Sequence, residues 1–189
     1  MACGYRALNK ITARGANPSP LPEEALDQAS GAKVFSKIDL IEAHHQMRIK
    51  EEDCHKTAIR ARFGAYEWRV LTFGLTNAPA SFARPLSTIL HELNGECLVL
   101  FLGDALARSA SAEERKRHLR QLFELLRRSE LHAKKKKCVI GAEQVEFLGH
   151  KVSSAGASMQ KRLIDGILER PTPKNASDAQ SFMGLANFY

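Results

Sequence analysis

Leu98-Val99-Leu100-Phe101-Leu102-Gly103-Asp104-Ala105-Leu106 is an apolar run, a tight turn carrying one acid, and a second short apolar run. That pattern reads as a β-hairpin with Gly103-Asp104 at its tip. Glycine there suits a turn that needs φ > 0. Asp104 has two readings at this stage: a solvated turn residue, or an acid held at a hairpin tip for chemistry. The flanking sequence decides between them.

Upstream, residues 34–40 read as a buried strand. After a short helical turn, 46–50, 57–62 and 66–70 read as strands of a small antiparallel meander, with Tyr66, Trp68 and Val70 alternating with polar neighbours as in a half-buried strand. Thr76-Asn77 then offers an N-cap and Pro79 a first-turn proline, and Phe82, Leu86, Leu90 and Leu93 give the one-sided stripe of a helix. Pro85 lies inside that helix, where a proline removes a hydrogen bond and clashes with the preceding turn at a cost of about 3 kcal/mol.

Downstream of the hairpin, residues 113–128 predict a second helix with Leu119, Leu122, Phe123 and Leu126 on one side and arginines and lysines largely on the others. A lysine run at 134–137 and a second hairpin through 145–152 follow. Helices opened by Met159-Gln160-Lys161 and Ser177-Asp178 finish the chain. Near the start, Pro18, Pro20 and Pro22 predict an extended connector. The order of elements gives an α+β fold, an antiparallel sheet backed by two helices.

At 189 residues and 44% apolar content, the chain can bury a sizeable core. Its formal charge of +7 favours a polyanionic partner, with nucleic acid the first candidate. Cys3, Cys54, Cys97 and Cys138 are scattered, with no Cys-x-x-Cys pair, so neither a zinc knuckle nor a disulfide framework is indicated and a reducing compartment fits. No apolar run approaches the roughly 20 residues of a membrane span, and no signal-peptide pattern opens the chain. An intracellular protein, in cytoplasm or nucleus, is expected. Both ends read as cut from a longer polyprotein.

Phe35-Ser36-Lys37-Ile38-Asp39-Leu40, His45-Gln46, Phe73-Gly74-Leu75-Thr76-Asn77-Ala78-Pro79-Ala80-Ser81-Phe82 and Phe147-Leu148-Gly149-His150 occur in order and at sensible spacings. Together they resemble the reverse transcriptase of gypsy-type long-terminal-repeat retrotransposons and their retroviral relatives. Tyr5-Arg6-Ala7-Leu8-Asn9-Lys10 and Pro171-Thr172-Pro173-Lys174-Asn175 extend the resemblance over nearly the whole chain. It implies a polymerase palm with partial fingers: residues 1–33 as fingers arm and proline-rich connector, 34–152 as palm, and 153–189 as the start of the thumb. It also implies an RNA-directed DNA polymerase, a nucleotidyltransferase acting on dNTPs and an RNA or DNA template-primer. The protease, RNase H and integrase of the parent Pol polyprotein are missing from this chain.

Such an enzyme uses two Mg²⁺ ions, and hard cations need oxygen ligands converging from separate strands. The resemblance makes Asp39 and Asp104 metal ligands and catalytic residues. It puts Phe101 at the tyrosine of a Tyr-X-Asp-Asp hairpin and Gly103 at the first aspartate, so one bridging carboxylate is absent and Mg²⁺ binding is expected to be impaired. Asp104 is not expected to stand in, because adjacent residues point in different directions.

The resemblance further implies a nucleotide pocket at His44, Phe73 and Gly74, with His44 where a bulky aromatic bars a ribonucleotide's 2′-hydroxyl, and Ala83 where glutamine is usual. Lys137 falls at a lysine that protonates pyrophosphate or orients the triphosphate. Phe147, Leu148, Gly149 and His150 fall at the primer grip, whose aromatic and glycine would let a backbone pass close to nucleic acid. Arg6 and Lys10 are candidate nucleic-acid contacts. The leading reading is therefore a catalytically defective reverse transcriptase domain. The alternatives are a non-catalytic nucleic-acid-binding remnant and a decayed transposon reading frame without function.

Overall fold

The computed structural model describes residues 4–13, 15, 21–101 and 103–186. In chain order they form α1 (Arg6–Ile11), α2 (Pro22–Ala29), β1 (Val34–Asp39), β2 (Ile59–Ala61), β3 (Gly64–Tyr66), α3 (Ala78–Ile89), β4 (Leu98–Phe101), β5 (Asp104–Ser109) and α4 (Ala112–Arg128). These are followed by β6 (Val139–Ala142), β7 (Gln144–Phe147), β8 (His150–Ser153), β9 (Gly156–Met159), α5 (Lys161–Leu168) and α6 (Ala176–Ala186). Short 3-10 turns occupy Ala43–Gln46, Glu51–Thr57 and Lys135–Lys137.

The central sheet has the order β4-β5-β1-β6, and β1 pairs antiparallel with both neighbours. Alternation along β1 sends Ile38 to one face and Phe35 to the other. On Ile38's face, Leu98, Ala105 and Ala107 meet Phe82, Leu86 and Leu90 of α3 and Leu119, Leu122 and Leu126 of α4. On Phe35's face, Val99 and Leu106 meet Ala25, Leu26 and Ala29 of α2, with Val145, Phe147 and Val152 from the β7-β8-β9 sheet. The expected two-helix backing is therefore one of two layers, because the sheet is apolar on both sides. Where β6 joins β1 the register shifts between Phe35 and Ser36, and the buried Ser36 hydroxyl accepts a hydrogen bond from the Gly141 amide at 3.0 Å.

Helix α4 starts at a reciprocal cap, the Glu114 amide donating to the Ser111 hydroxyl at 3.2 Å and the Glu114 carboxylate accepting from the Ala110 amide at 3.0 Å. Three of its expected core residues are buried, but Phe123 is 39% exposed and lines a surface groove with Ile41 and Leu131. Leu119, Leu122 and Leu126 already fill the stripe that faces the sheet, and Phe123 lies one position beyond Leu122, about 100° round the helix. At α3, Asn77 is the N-cap residue, yet its side chain makes no cap bond. The amide instead reaches the N-terminal arm, accepting from Gly15 N at 3.2 Å and donating to Ala13 O at 2.8 Å.

Four further expectations are corrected. Pro22 opens α2 at its first turn rather than extending a connector, with Glu23 and Glu24 favourable at the helix N-terminus; Pro18 and Pro20 lie outside the described residues. The strand at 46–50 reduces to a single bridge, Arg48 with Val70, because 51–57 winds into a 3-10 turn whose Thr57 hydroxyl takes the Trp68 amide at 2.8 Å. For the same reason 66–70 is not one strand: Tyr66 ends β3 and is 51% exposed. The second hairpin also gains a third strand, β9.

Pro85 sits inside α3, which runs on to Ile89. Phe82, Leu86 and Leu90 are buried to 2% exposure or less, and burying such side chains contributes about 1.5–3 kcal/mol each. Their sum exceeds the roughly 3 kcal/mol that an interior proline costs, so the helix survives it. Pro85→Ala is expected to stabilise the domain by about 1–3 kcal/mol, seen as a melting temperature several degrees higher. An unchanged or lower melting temperature would mean the helix has relaxed around the ring at no cost.

Candidate active site

The register of β1 and β5 places Asp39 directly opposite Asp104. Directly opposed residues share a face, with Cβ atoms about 4.5–5.5 Å apart, and like charges so placed repel. Each acid has its own counter-ion. Lys37 Nζ lies 3.0 Å from Asp104 Oδ2, and Lys137 Nζ lies 3.6 Å from Asp39 Oδ2. Lys37 was not among the candidate residues, although it stands two positions before Asp39 on the same strand face. Its signal was the period of two, read only for apolar residues.

Lys137 is brought to the acids by the backbone. The Lys134 amide donates to Asp39 O at 2.8 Å, and the 3-10 turn that follows carries Lys137 to Asp39. Gln46 fixes the approach to that turn: its side-chain oxygen accepts from the His132 amide at 2.7 Å, while its amide nitrogen donates to the Ile41 and His132 carbonyls. The His45-Gln46 motif thus acts through Gln46 as a clip between the end of β1 and the lysine segment.

Phe101 pairs with Asp104 to close the hairpin across residues 102 and 103, of which Leu102 lies outside the described residues. Gly103 does not adopt positive φ; its amide donates to Phe101 O at 2.7 Å. The expected need for left-handed backbone at this tip is therefore corrected, and an L-residue is conformationally acceptable there. A Cβ at 103 would meet Ala43 Cβ at 3.6 Å and Phe82 Cε1 at 3.7 Å, ordinary contacts. That direction leads toward His44's neighbours, whereas Asp104 is tied to Lys37 and faces Asp39.

His44 packs against Phe73 and Phe82, with ring centroids 5.1 and 5.7 Å away. Gly74 has φ of 103°, and its carbonyl accepts from Asn9 Nδ2 at 2.7 Å. Asn9 Oδ1 also takes the Thr76 amide at 2.9 Å, so α1 is locked to the loop that forms this pocket. His44, Phe73 and Gly74 are therefore brought together, on the side toward which a residue 103 side chain would point. Arg6 and Lys10 are exposed on α1.

At the β7–β8 turn, Leu148 and Gly149 have φ of 50° and 77°, the positive pair that a two-residue turn of this hand requires. Phe147 faces inward at 1% exposure, so its ring is core and does not face a ligand. The surface of that turn is left to Leu148, Gly149 and His150, with His150 Nδ1 3.0 Å from Leu148 O.

Burial pushes the His44 imidazole below its ordinary value, and neighbouring His45 adds to the depression. The unfolded chain therefore takes up this proton at higher pH than the folded one. Stability attached to His44 is complete above about pH 6.5 and declines as pH falls from there through the lower folded value. His44→Phe is expected to flatten that decline, measured as melting temperature against pH between about 5 and 7. Equal slopes in the two proteins would refute this assignment.

The comparisons with known proteins agree with the geometry. Over 188 residues the chain is 32% identical to the polyproteins of transposons Tf2-3 and Tf2-7 of Schizosaccharomyces pombe (strain 972), covering 100% of this chain and 14% of each polyprotein. The foamy viral protease-reverse transcriptase solved with double-stranded DNA superposes with a TM-score of 0.91 at 24% identity, over 100% of this chain and 33% of that one. The same viral protein solved with an RNA/DNA hybrid gives 0.85 at 24% identity, over 98% of this chain and 25% of that one. Residues 1–152 match the profile of "Reverse transcriptase (RNA-dependent DNA polymerase)", and the chain belongs to that family.

Proposed function

We propose that this chain is the palm and partial fingers of an RNA-directed DNA polymerase, that it holds an RNA or DNA template-primer, and that this copy does not extend it. The observation that carries the reading is the opposed pair Asp39–Asp104, each acid held by a lysine, beside a turn residue that bears no carboxylate. A two-cation centre, when formed, activates the primer 3′-hydroxyl and stabilises the leaving pyrophosphate. The donor set does not fit such a centre: among the described residues no three His, Cys, Asp or Glu side chains cluster to hold a metal. Lys37 and Lys137 instead balance the two carboxylates. Asp104 cannot serve for residue 103, since the two positions lead to different sides of the hairpin.

The nucleic-acid partner is supported by the charge of +7 and by the foamy viral relative, whose structures hold double-stranded DNA and an RNA/DNA hybrid. The proposed division is fingers arm and connector at 1–33, palm at 34–152 and start of thumb at 153–189. The chain spans 14% of its curated relatives' length, and the remaining polyprotein functions belong to other segments. No described helix is long and apolar enough to cross a membrane.

Two measurements test the reading. Duplex binding is expected with a Kd of roughly 10⁻⁴–10⁻⁶ M near physiological ionic strength, weakening steeply with salt. Primer extension with Mg²⁺ is expected to be undetectable. Mg²⁺ should leave the melting temperature of the parent chain unchanged and raise that of Gly103→Asp, since a ligand bound only by the folded state stabilises it. Mg²⁺-dependent synthesis by the unmodified chain, lost in Asp39→Asn, would overturn the defect.

A further inference from the structure

The β2–β3 hairpin stands apart from the central sheet as a two-stranded sheet of its own. From Ala58 to Tyr66 it contains Arg60 and Arg62 and no acid, with Glu67 the first carboxylate after it. Phe63 at its tip is 84% exposed and Tyr66 is 51% exposed. The Arg62 guanidinium carbon lies 5.6 Å from the centroid of the Phe63 ring, within cation–π range. The hairpin is nevertheless firmly rooted. The buried Thr57 hydroxyl accepts the Trp68 amide at 2.8 Å across its base, and the Tyr5 hydroxyl donates to Thr57 O at 3.1 Å.

We infer that this hairpin is a stacking platform for an unpaired nucleic-acid strand, a contact that rests on the nucleic-acid reading above and adds a second site to it. An exposed aromatic ring beside arginines is the combination that holds single strands: a base stacks on the ring while the guanidinium meets the backbone phosphate. A duplex does not satisfy it, since paired bases already stack on one another and offer only phosphates outward. The charge argues the same way. Two arginines without a carboxylate between them suit a polyanion, and with the Arg62 guanidinium on one side of the highly exposed Phe63 ring, a base would stack on the other. The anchoring at Thr57 fixes the ring's support before the strand arrives, which reduces the ordering cost of binding.

The test uses the full chain with a labelled oligothymidylate of about 12 nucleotides and a blunt duplex of similar length, read by fluorescence anisotropy. Phe63→Ala is expected to weaken oligothymidylate binding about fivefold or more and duplex binding less than about twofold. Phe63→Trp is expected to retain affinity, with indole fluorescence quenched by the strand. Arg62→Gln should lower the salt slope for the single strand by about one. Both tip residues are exposed, and unchanged circular dichroism confirms folding of each variant. Unchanged oligothymidylate affinity in Phe63→Ala, with parent duplex binding intact, overturns the platform and leaves the nucleic-acid reading standing. Binding of neither probe by the parent at low salt overturns both. If Phe63→Ala changes only the sedimentation of the chain, the surface joins copies of the protein and the platform is overturned.

Discussion

Antiparallel pairing of β1 with β5 in one register is the constraint on which the molecule rests. Because side chains alternate with a period of two, that register sends Ile38 and Ala105 to the α3–α4 core and Phe35 and Leu106 to the α2 core. A slip of one residue would reverse every assignment and place Ser36 and Lys37 against the wrong layers. The same register fixes the acids. Asp39 and Asp104 are the last pair of the ladder, where the apolar cores stop and the strand ends open, so packing pays for the close approach of two like charges that would otherwise separate.

The two lysines follow from that placement. Lys37 shares a face with Asp39 and reaches Asp104 diagonally across the ladder, and Lys137 is delivered by a turn whose first amide is bonded to Asp39 itself. The side chains of Lys37 and Asp104 are 23% and 33% exposed, so solvent screens the pair only in part. A cluster of two carboxylates and two ammonium groups is electrically balanced and has little pull on a further cation. One more carboxylate at position 103 would tip that balance. Removing a lysine would shift the charge as far, but only an added acid also supplies a further oxygen donor for a hard cation.

Much of this was legible in the sequence because its signals were periodic. The stripes of α3 and α4, the hairpin at 98–106 and the second hairpin through 145–152 all follow from local repeats or turn chemistry. Where the reading failed, a long-range contact had replaced the local rule. Asn77 looked like a cap and bonds the N-terminal arm; Pro22 looked like a connector and opens a helix that the second face of the sheet needs; Phe147 looked like a ligand contact and fills that face. At the site, the opposed acids were foreseen as partners and the resemblance placed Lys137 beside them, but Lys37 was not foreseen. Lys37 carries no motif of its own, and its role exists only once β5 lies beside β1.

Gly103 shows why fold and chemistry separate in this chain. Its backbone does not need glycine, a Cβ there would make only ordinary contacts with Ala43 and Phe82, and neither core includes it. A change from aspartate to glycine at such a tip removes a donor without touching the ladder that aligns Asp39 with Asp104. Gly103 therefore has no structural compensation to show, unlike Pro85, whose cost is borne by the side chains packed around it. The stability of a domain built this way depends on the β1–β5 register and the layers it organises. The proposed loss of metal-dependent chemistry rests on one position that those layers do not use.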